Sequence, residues 1–299
     1  MRRETAMPPL EPFYQQVQAH YDLSNEFFAL FLDPSLTYSC AFFERDGMSL
    51  EEAQRAKIDR TLGKCDLRRG QRLLDIGCGW GATVRRAVEA FGVQATGLTL
   101  SQKQCELARE RLADLGGRAD VRLQGWEEFD EPVDRIVSIG AFEHFREERY
   151  PAFFEKCRRL LPADGRLLLH TIVWLDPEEL AGRGLEIGFE DVQFLKFIGR
   201  RIFPGGQLRP PSVIRGHAEA AGFAVTQVEA LRPHYARTLE AWAGNLQAAR
   251  DRAIELTSDE VYETYRHYLT GCARYFREGF LDVMQFTCSC REAAEGRSV

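Results

Sequence analysis

From Leu73 to Leu169 the chain repeats one pattern, a short apolar run followed by a stretch with helical spacing. RLLDIG precedes ATVRRAVEAFG, VQATGLTL precedes SQKQCELARERLADLGG, and ADVRLQG follows. VDRIVSIG, EERYPAFFEKCRRLLPADG and RLLLHTIVW continue the alternation. Ser101 stands where an N-cap belongs, and Gly116 and Gly117 where that helix should stop. Strands alternating with helices predict parallel β-α units and an α/β sheet covered on both faces.

Two blocks break the rhythm. Before the sheet, Phe13 to Lys64 reads as largely helical around the loop DPSLTYSCAFF. After RLLLHTIVW, Leu175 to Pro211 is an insertion rich in phenylalanine and glycine. A second insertion, Pro233 to Gly279, reads as two helices ahead of the strand-like FLDVMQFTC. Insertions at the C-terminal ends of strands suit a lid over a ligand crevice.

Composition narrows the function classes. A net charge of −6 argues against general nucleic-acid binding. The basic runs KCDLRRGQR and GRRIF are either local docking faces or ordinary solvated surface. Eight cysteines without a CxxC pair, and a lone CSC with no second half, make structural zinc unexpected and point to a reducing cytoplasm. The start, MRRETAMPPLEPFY, has no apolar core and is not expected to be a signal peptide. No segment approaches the roughly 18 uninterrupted apolar residues of a membrane span.

LLDIGCGWG places Gly77, Gly79 and Gly81 after a strand and before a helix, where glycines let the backbone approach a ligand. By itself this loop also fits other nucleotide-binding folds or a plain turn. Asp75 two residues ahead of the first glycine gives the form usual in S-adenosylmethionine (SAM)-dependent methyltransferases. SAM carries cationic ammonium and sulfonium groups, so a nearby carboxylate is physically useful. The second strand ends in GLTLSQKQ, without the acid that normally binds the ribose hydroxyls, leaving Thr99 and Gln104 as neutral substitutes.

Several long stretches together resemble the cyclopropane fatty acid synthases, and most closely their mycolic acid cyclopropane synthase subgroup. They are AHYDLSNEFFALFLDPSLTYSCAFF, LLDIGCGWG, GLTLSQKQ, GWEEFDEPVDRIVSIGAFEHF, LLLHTI, FIGRRIFPGG, PHYARTLEAW and YLTGCARYFREGFLDVMQFTC, spread from about Val17 to Cys288. The resemblance implies a Rossmann-like class I SAM-dependent methyltransferase sheet with a helical N-terminal segment and helical lid insertions. It implies a lead-in at 1–16 and one domain at 17–299. Within that domain 17–70 would be a helical cap, 71–174 the cofactor core, and 175–211 with 233–279 the lid and acyl site.

The same resemblance implies site residues. SAM would meet Tyr38 and Ser39, the loop Leu73, Leu74, Asp75, Ile76, Gly77, Cys78, Gly79, Trp80 and Gly81, and the stretch Thr99, Leu100, Ser101, Gln102, Lys103 and Gln104. Trp126 and Glu127 would complete that site, with the indole beside the adenine, although a tryptophan after a strand also suits a core. Cyclopropanation differs from ordinary methylation in its proton. An alkene attacks the methyl group, and the ring closes only when the new methyl loses a proton, in a site dry enough that water does not trap the carbocation. The family is thought to use a bound bicarbonate or carbonate ion as base. Its cage here would be Cys40, Glu143, His170 and Tyr235, with backbone from Ile139 and Gly140. A protonated Glu143 would donate to the anion, and His170 would donate or relay.

Cys272 in TGCARYF is expected to line the pocket near the reacting carbon, and His144 is assigned to structure. Read alone, His170 would be a core histidine, Glu143 a helix cap and Cys272 a small buried hydrophobe. Phe142, Phe203, Tyr235, Tyr265 and Phe276 are candidate walls of an acyl tunnel or simply core. Within the subgroup a glutamate near the cage accompanies hydroxylation and a glycine accompanies ring formation, so Gly140 favours the ring. Capture of the same cation as a hydroxylated or methyl-branched product, and small-molecule N- or C-methylation on this scaffold, stay open. The expected substrate is a long unsaturated acyl chain. It would be held on an acidic acyl carrier protein, because the extra N-terminal domain of the phospholipid enzymes is not seen. Transient contact with a membrane surface is also open.

Overall fold

The computed structural model describes residues 10–12 and 23–291. Most of the expected lead-in at 1–16, and the first residues of the expected cap, therefore lie outside the described residues. Among the described residues seven strands form one sheet: β1 Arg72–Ile76, β2 Gln94–Thr99, β3 Ala119–Leu123, β4 Arg135–Ile139, β5 Arg166–Trp174, β6 Phe223–Ala230 and β7 Leu281–Cys290. Their order is β3-β2-β1-β4-β5-β7-β6. β1 to β5 run parallel, and β7 runs antiparallel to both β5 and β6. β1 sits between β2 and β4, so the winding reverses there and a crevice opens beyond the strands' C-terminal ends.

The helices are α1 Asn25–Ala29, α2 Leu50–Lys64, α3 Ala82–Arg86, α4 Gln102–Leu112, α5 Tyr150–Leu160, α6 Pro177–Gly182, α7 Phe189–Phe197, α8 Pro211–Ala220, α9 Arg232–Ala248, α10 Arg250–Leu256 and α11 Asp259–Glu278. The second insertion thus holds three helices where two were expected, because Ala249 and Ser258 restart the helix after short breaks. α8 and β6 were not anticipated. β6 is a half-exposed edge whose burial does not alternate, so its apolar periodicity is weak.

Strand alternation sorts the core. Leu74, Ile136, Leu167 and Leu169 pack with Phe153, Phe154 and Cys157 of α5, while Leu73, Val137 and Leu168 pack with Ile58 and Leu62 of α2. α2 opens on a capping box of Ser49 and Glu52 and carries an unusually polar buried stripe of Gln54, Lys57 and Thr61. The sheet face beneath answers it. The register sets His170 opposite Ile139 on one side and Gln285 on the other, and Gln285 opposite Glu229. A bulge between Val225 and Gln227 shifts β6 by one residue, and without it Glu229 would face away. A third cluster joins α1, α9 and α11 through Phe27, Phe28, Phe31, Trp242 and Tyr265.

Of the two basic runs, KCDLRRGQR turns at the N-terminal end of β1, the edge opposite the crevice. Three of its four basic side chains are engaged: Lys64 with Glu229, Arg68 with Asp66, Arg72 with Asp134. GRRIF lies in the turn after α7, with Arg200 and Arg201 exposed. No helix among the described residues is long and apolar enough to cross a membrane.

Candidate active site

Two cavities meet at the crevice. The first lies over the loop after β1. Gly77, Gly79 and Gly81 have φ of +85°, +54° and +85°. A Cβ on Gly77 would come within 2.3 Å of the Ala141 Cβ, so only glycine lets the loops after β1 and β4 close on each other. Asp75 is buried, its Oδ1 has no partner, and burial pushes its carboxyl up to about 7. A buried acid without a donor, facing a cradle of glycines, fits a cationic cofactor such as SAM. At the end of β2, Thr99 and Gln104 hydrogen-bond each other at 2.8 Å where an acid would usually stand.

Tyr38, Ser39, Asp75, Ile76, Gly77, Cys78, Gly79, Trp80, Thr99, Leu100, Gln104, Trp126, Glu127, Ile139 and Gly140 all line this cavity. Trp126 satisfies both readings made of it: it walls the cavity and packs edge-on against Phe153. Glu127 pairs with Arg149 through Oε1 and keeps an unpartnered, buried Oε2. The other expected contacts do not line the cavity. Leu73 and Leu74 turn into the core on opposite faces. Gly81 is the N-cap of α3, Ser101 caps α4 by accepting from the Gln104 N–H, and Gln102 and Lys103 are exposed on its first turn.

The second cavity is walled by the lid segments and by β5 and β7. Cys40, Glu143, His170, Tyr235 and Cys272 all line it, although they come from five separate elements of the chain. Glu143 accepts from the Ile172 N–H through Oε1 at 2.7 Å, and its Oε2 is buried without a partner. Burial pushes its carboxyl up to about 7, partly offset by the Ile172 hydrogen bond. His170 is buried with Nε2 unpartnered, and burial, then Lys57 and Lys64, hold its pKa well below the usual histidine value. Two unsatisfied polar atoms in a largely apolar chamber suit a small anion held by two donors. Gly140 carries its backbone into the same space at φ +67°.

Burial raises the Cys40 and Tyr235 acid groups and pushes the Cys272 thiol up to about 12. Thiolate chemistry is thus disfavoured at both cysteines. Of the candidate aromatic walls, Phe203, Tyr235 and Phe276 line the cavity, with Tyr235 and Phe276 centroids 4.6 Å apart. Phe142 does not, because it stacks on Tyr150 in the core at 4.2 Å. Tyr265 does not either, packing edge-on against Phe27 at 4.9 Å.

Tyr38, Ser39, Gly140 and His144 line both cavities and form the waist between them. His144, assigned to structure from the sequence, thus also faces both cavities; its ring rests on Phe203, and burial keeps it neutral, with a pKa pushed down to about 4. Lys57 was also missed. It is buried, its Nζ donates to Ser39 Oγ at 2.7 Å, and burial lowers its pKa to about 8. The signal was its place on the buried stripe of α2, between Gln54 and Thr61, where a solvated lysine does not belong.

With the geometry in place, the comparisons decide the family. The family model for mycolic acid cyclopropane synthetase matches residues 10–286. The chain belongs to that family. Cyclopropane mycolic acid synthase 1 of Mycobacterium tuberculosis (strain ATCC 25177 / H37Ra) is 58% identical over 281 residues, 93% of this chain and 98% of that protein. The solved cyclopropane synthase MmaA2 from Mycobacterium tuberculosis superposes with a TM-score of 0.93 at 51% identity, over 94% of this chain and 100% of that one. Mycolic acid cyclopropane synthase CmaA1, complexed with SAH and CTAB, superposes with a TM-score of 0.91 at 57% identity, with the same coverage. This family member is an enzyme of the SAM-dependent methyltransferase class, and its sheet is the Rossmann-like class I fold.

Proposed function

We propose that this enzyme adds a methylene to a cis double bond of a long-chain acyl lipid of mycolic acid type, giving a cyclopropane. The observation that carries this reading is the pair of orphaned atoms, Glu143 Oε2 and His170 Nε2, in an apolar chamber that shares its waist with the cofactor cavity. A relative crystallised with SAH and CTAB supports a SAM-derived cofactor and a second, non-cofactor ligand on this scaffold. We read 17–299 as one catalytic domain, with 175–211 and 233–279 as lid and acyl-site insertions.

When bound, SAM supplies an electrophilic methyl group, and a caged bicarbonate supplies a base. The chain's own residues do the rest. Asp75 offers a negative charge to a cation, while Thr99, Gln104 and Trp126 shape the remainder of that cavity. Glu143, protonated near neutrality, has its Oε1 occupied by the Ile172 N–H, so its proton sits on Oε2 and points to the cage. His170, Cys40, Tyr235 and the Ile139–Gly140 backbone complete that cage. Phe203, Phe276, Leu208 and Trp174 keep water from the reacting carbon.

Gly140 favours ring closure over hydroxylation. A side chain there would start 3.3 Å from the Ser39 Cβ, and a carboxylate at the waist would bring water with it. An N-methyltransferase would have no use for a second pair of buried donors, which weighs against that alternative. The carrier is read as an acidic acyl carrier protein meeting Arg200 and Arg201 beside the lid. Purified enzyme incubated with SAM and a cis-unsaturated long-chain acyl substrate should yield SAH and a product heavier by one CH₂ with high-field cyclopropyl protons. A carbinol signal would replace the ring reading with hydroxylation, and SAH without any acyl product would end both.

A further inference from the structure

His170 sits in a buried polar row that its proposed role in the cage does not require. Across the sheet it lies opposite Gln285, which lies opposite Glu229, and α2 lays Arg60, Thr61 and Lys64 over that row. Gln285 is wholly buried and every atom of its amide is engaged. Lys64 Nζ donates to Gln285 Oε1 at 2.6 Å and also to Glu229, which Arg60 holds from the other side. Gln285 Nε2 contacts Thr61 Oγ1 at 3.0 Å and His170 Nδ1 at 3.2 Å.

The direction of each bond follows by elimination. An ammonium has only protons to give, so the atom of Gln285 facing Lys64 is the carbonyl oxygen. The amide nitrogen then faces Thr61 and His170 with its two hydrogens. Thr61 spends its own hydroxyl hydrogen on the Lys57 carbonyl at 2.8 Å, so it accepts from Gln285. The remaining amide hydrogen points at His170 Nδ1, which must accept and therefore carries no proton.

We propose that Gln285, oriented by Lys64 and Thr61, is a positioning residue that fixes His170 as the neutral Nε2–H tautomer. His170 then presents a single hydrogen-bond donor to the anion cage. The ring has no second choice. A proton on Nδ1 would stand against the amide hydrogen of Gln285, which cannot turn over without setting its NH₂ against Lys64. The groups that bear on the ring's charge act in the same sense: burial and the cations Lys57 and Lys64 on α2 all disfavour imidazolium. Glu143 across the cavity is itself held toward its neutral form. His170 accordingly donates to the anion and does not take the substrate proton, which removes the relay role from the two roles first expected of it.

This deepens the cage reading above, but its test does not depend on that reading. The protonated nitrogen of each of the six histidines is read from long-range proton–nitrogen correlations in uniformly ¹⁵N-labelled protein, with His170 identified from the H170N spectrum. The wild type should show one His170 tautomer, protonated at Nε2, from about pH 6 to pH 9. Q285E replaces the donor by a carboxylate acceptor and should move the proton to Nδ1 or give imidazolium. K64M, which frees the amide to turn, should give a mixture. A wild-type ring protonated at Nδ1, or a His170 signal unchanged in a folded Q285E that still binds SAH, would overturn the proposal. A tautomer that switches as described in an enzyme indifferent to bicarbonate would uphold the positioning and sink the cage.

Discussion

At the residue scale, the site is a matter of which buried polar atoms lack partners. Asp75 and Glu143 both have carboxyls pushed up to about 7 by burial. A carboxyl whose folded pKa exceeds its unfolded value adds stability below the unfolded pKa and loses it as pH rises through the folded one. Between their ordinary values near 4 and about 7, these two groups therefore destabilise the cofactor-free protein progressively as pH rises. The same titration governs catalysis if the proton on Glu143 Oε2 is a donor to the cage. Wild-type turnover should fall as pH climbs above about 7. E143Q should keep a donor in that place, since the Ile172 N–H orients its carbonyl, and so should lose this limb of the pH–rate profile. E143L, with no donor, should lose roughly 10²-fold or more in kcat, the scale seen when one preorganised donor to an anion is removed. An E143Q profile with the wild-type alkaline limb would show that Glu143 does not set it.

At the scale of elements, legibility followed periodicity. β1 to β5 and their intervening helices could be read because each strand is a bounded apolar run and each helix begins and ends on recognisable signals. β6 and α8 could not, because an edge strand half open to solvent carries little apolar pattern. The glycine loop was legible as a loop, but not which of its neighbours face inward. Leu73 and Leu74 were expected beside the cofactor, and the strand turns them into opposite cores. Gln285 was missed since it looks ordinary until α2 is laid over the sheet, and Lys57 although its place on the inward stripe of α2 was a signal. The lid makes the prediction at this scale. Arg200 is exposed, and among the described residues Arg201 pairs with the exposed Glu260, an ion pair worth little by itself. R200E/R201E should therefore leave SAH affinity and thermal stability near wild type while raising KM for an acyl-carrier-bound substrate several-fold. Unchanged KM would remove this face as the carrier dock.

At the scale of the whole molecule, the proposed chemistry depends on bringing distant parts of the chain to one chamber. Cys40 comes from the loop after α1, Glu143 from the turn after β4, His170 from β5, Tyr235 from α9 and Cys272 from α11. The sequence supported their association only through resemblance of long motifs, because no spacing rule joins a loop near the start to a helix near the end. The sheet accounts for the assembly. Its winding reverses at β1, its antiparallel β7 sets Gln285 against His170, and its C-terminal edge supports a helical roof of largely apolar and aromatic side chains. The central claim is that this roof and the two donors beneath it hold an anionic base in a dry cavity. Turnover in buffer stripped of carbon dioxide and bicarbonate, then with bicarbonate restored, tests it most directly. The account predicts that ring formation falls by about tenfold or more on depletion and recovers on addition, with SAH binding unaffected throughout. Ring formation at the full rate in depleted buffer would contradict it.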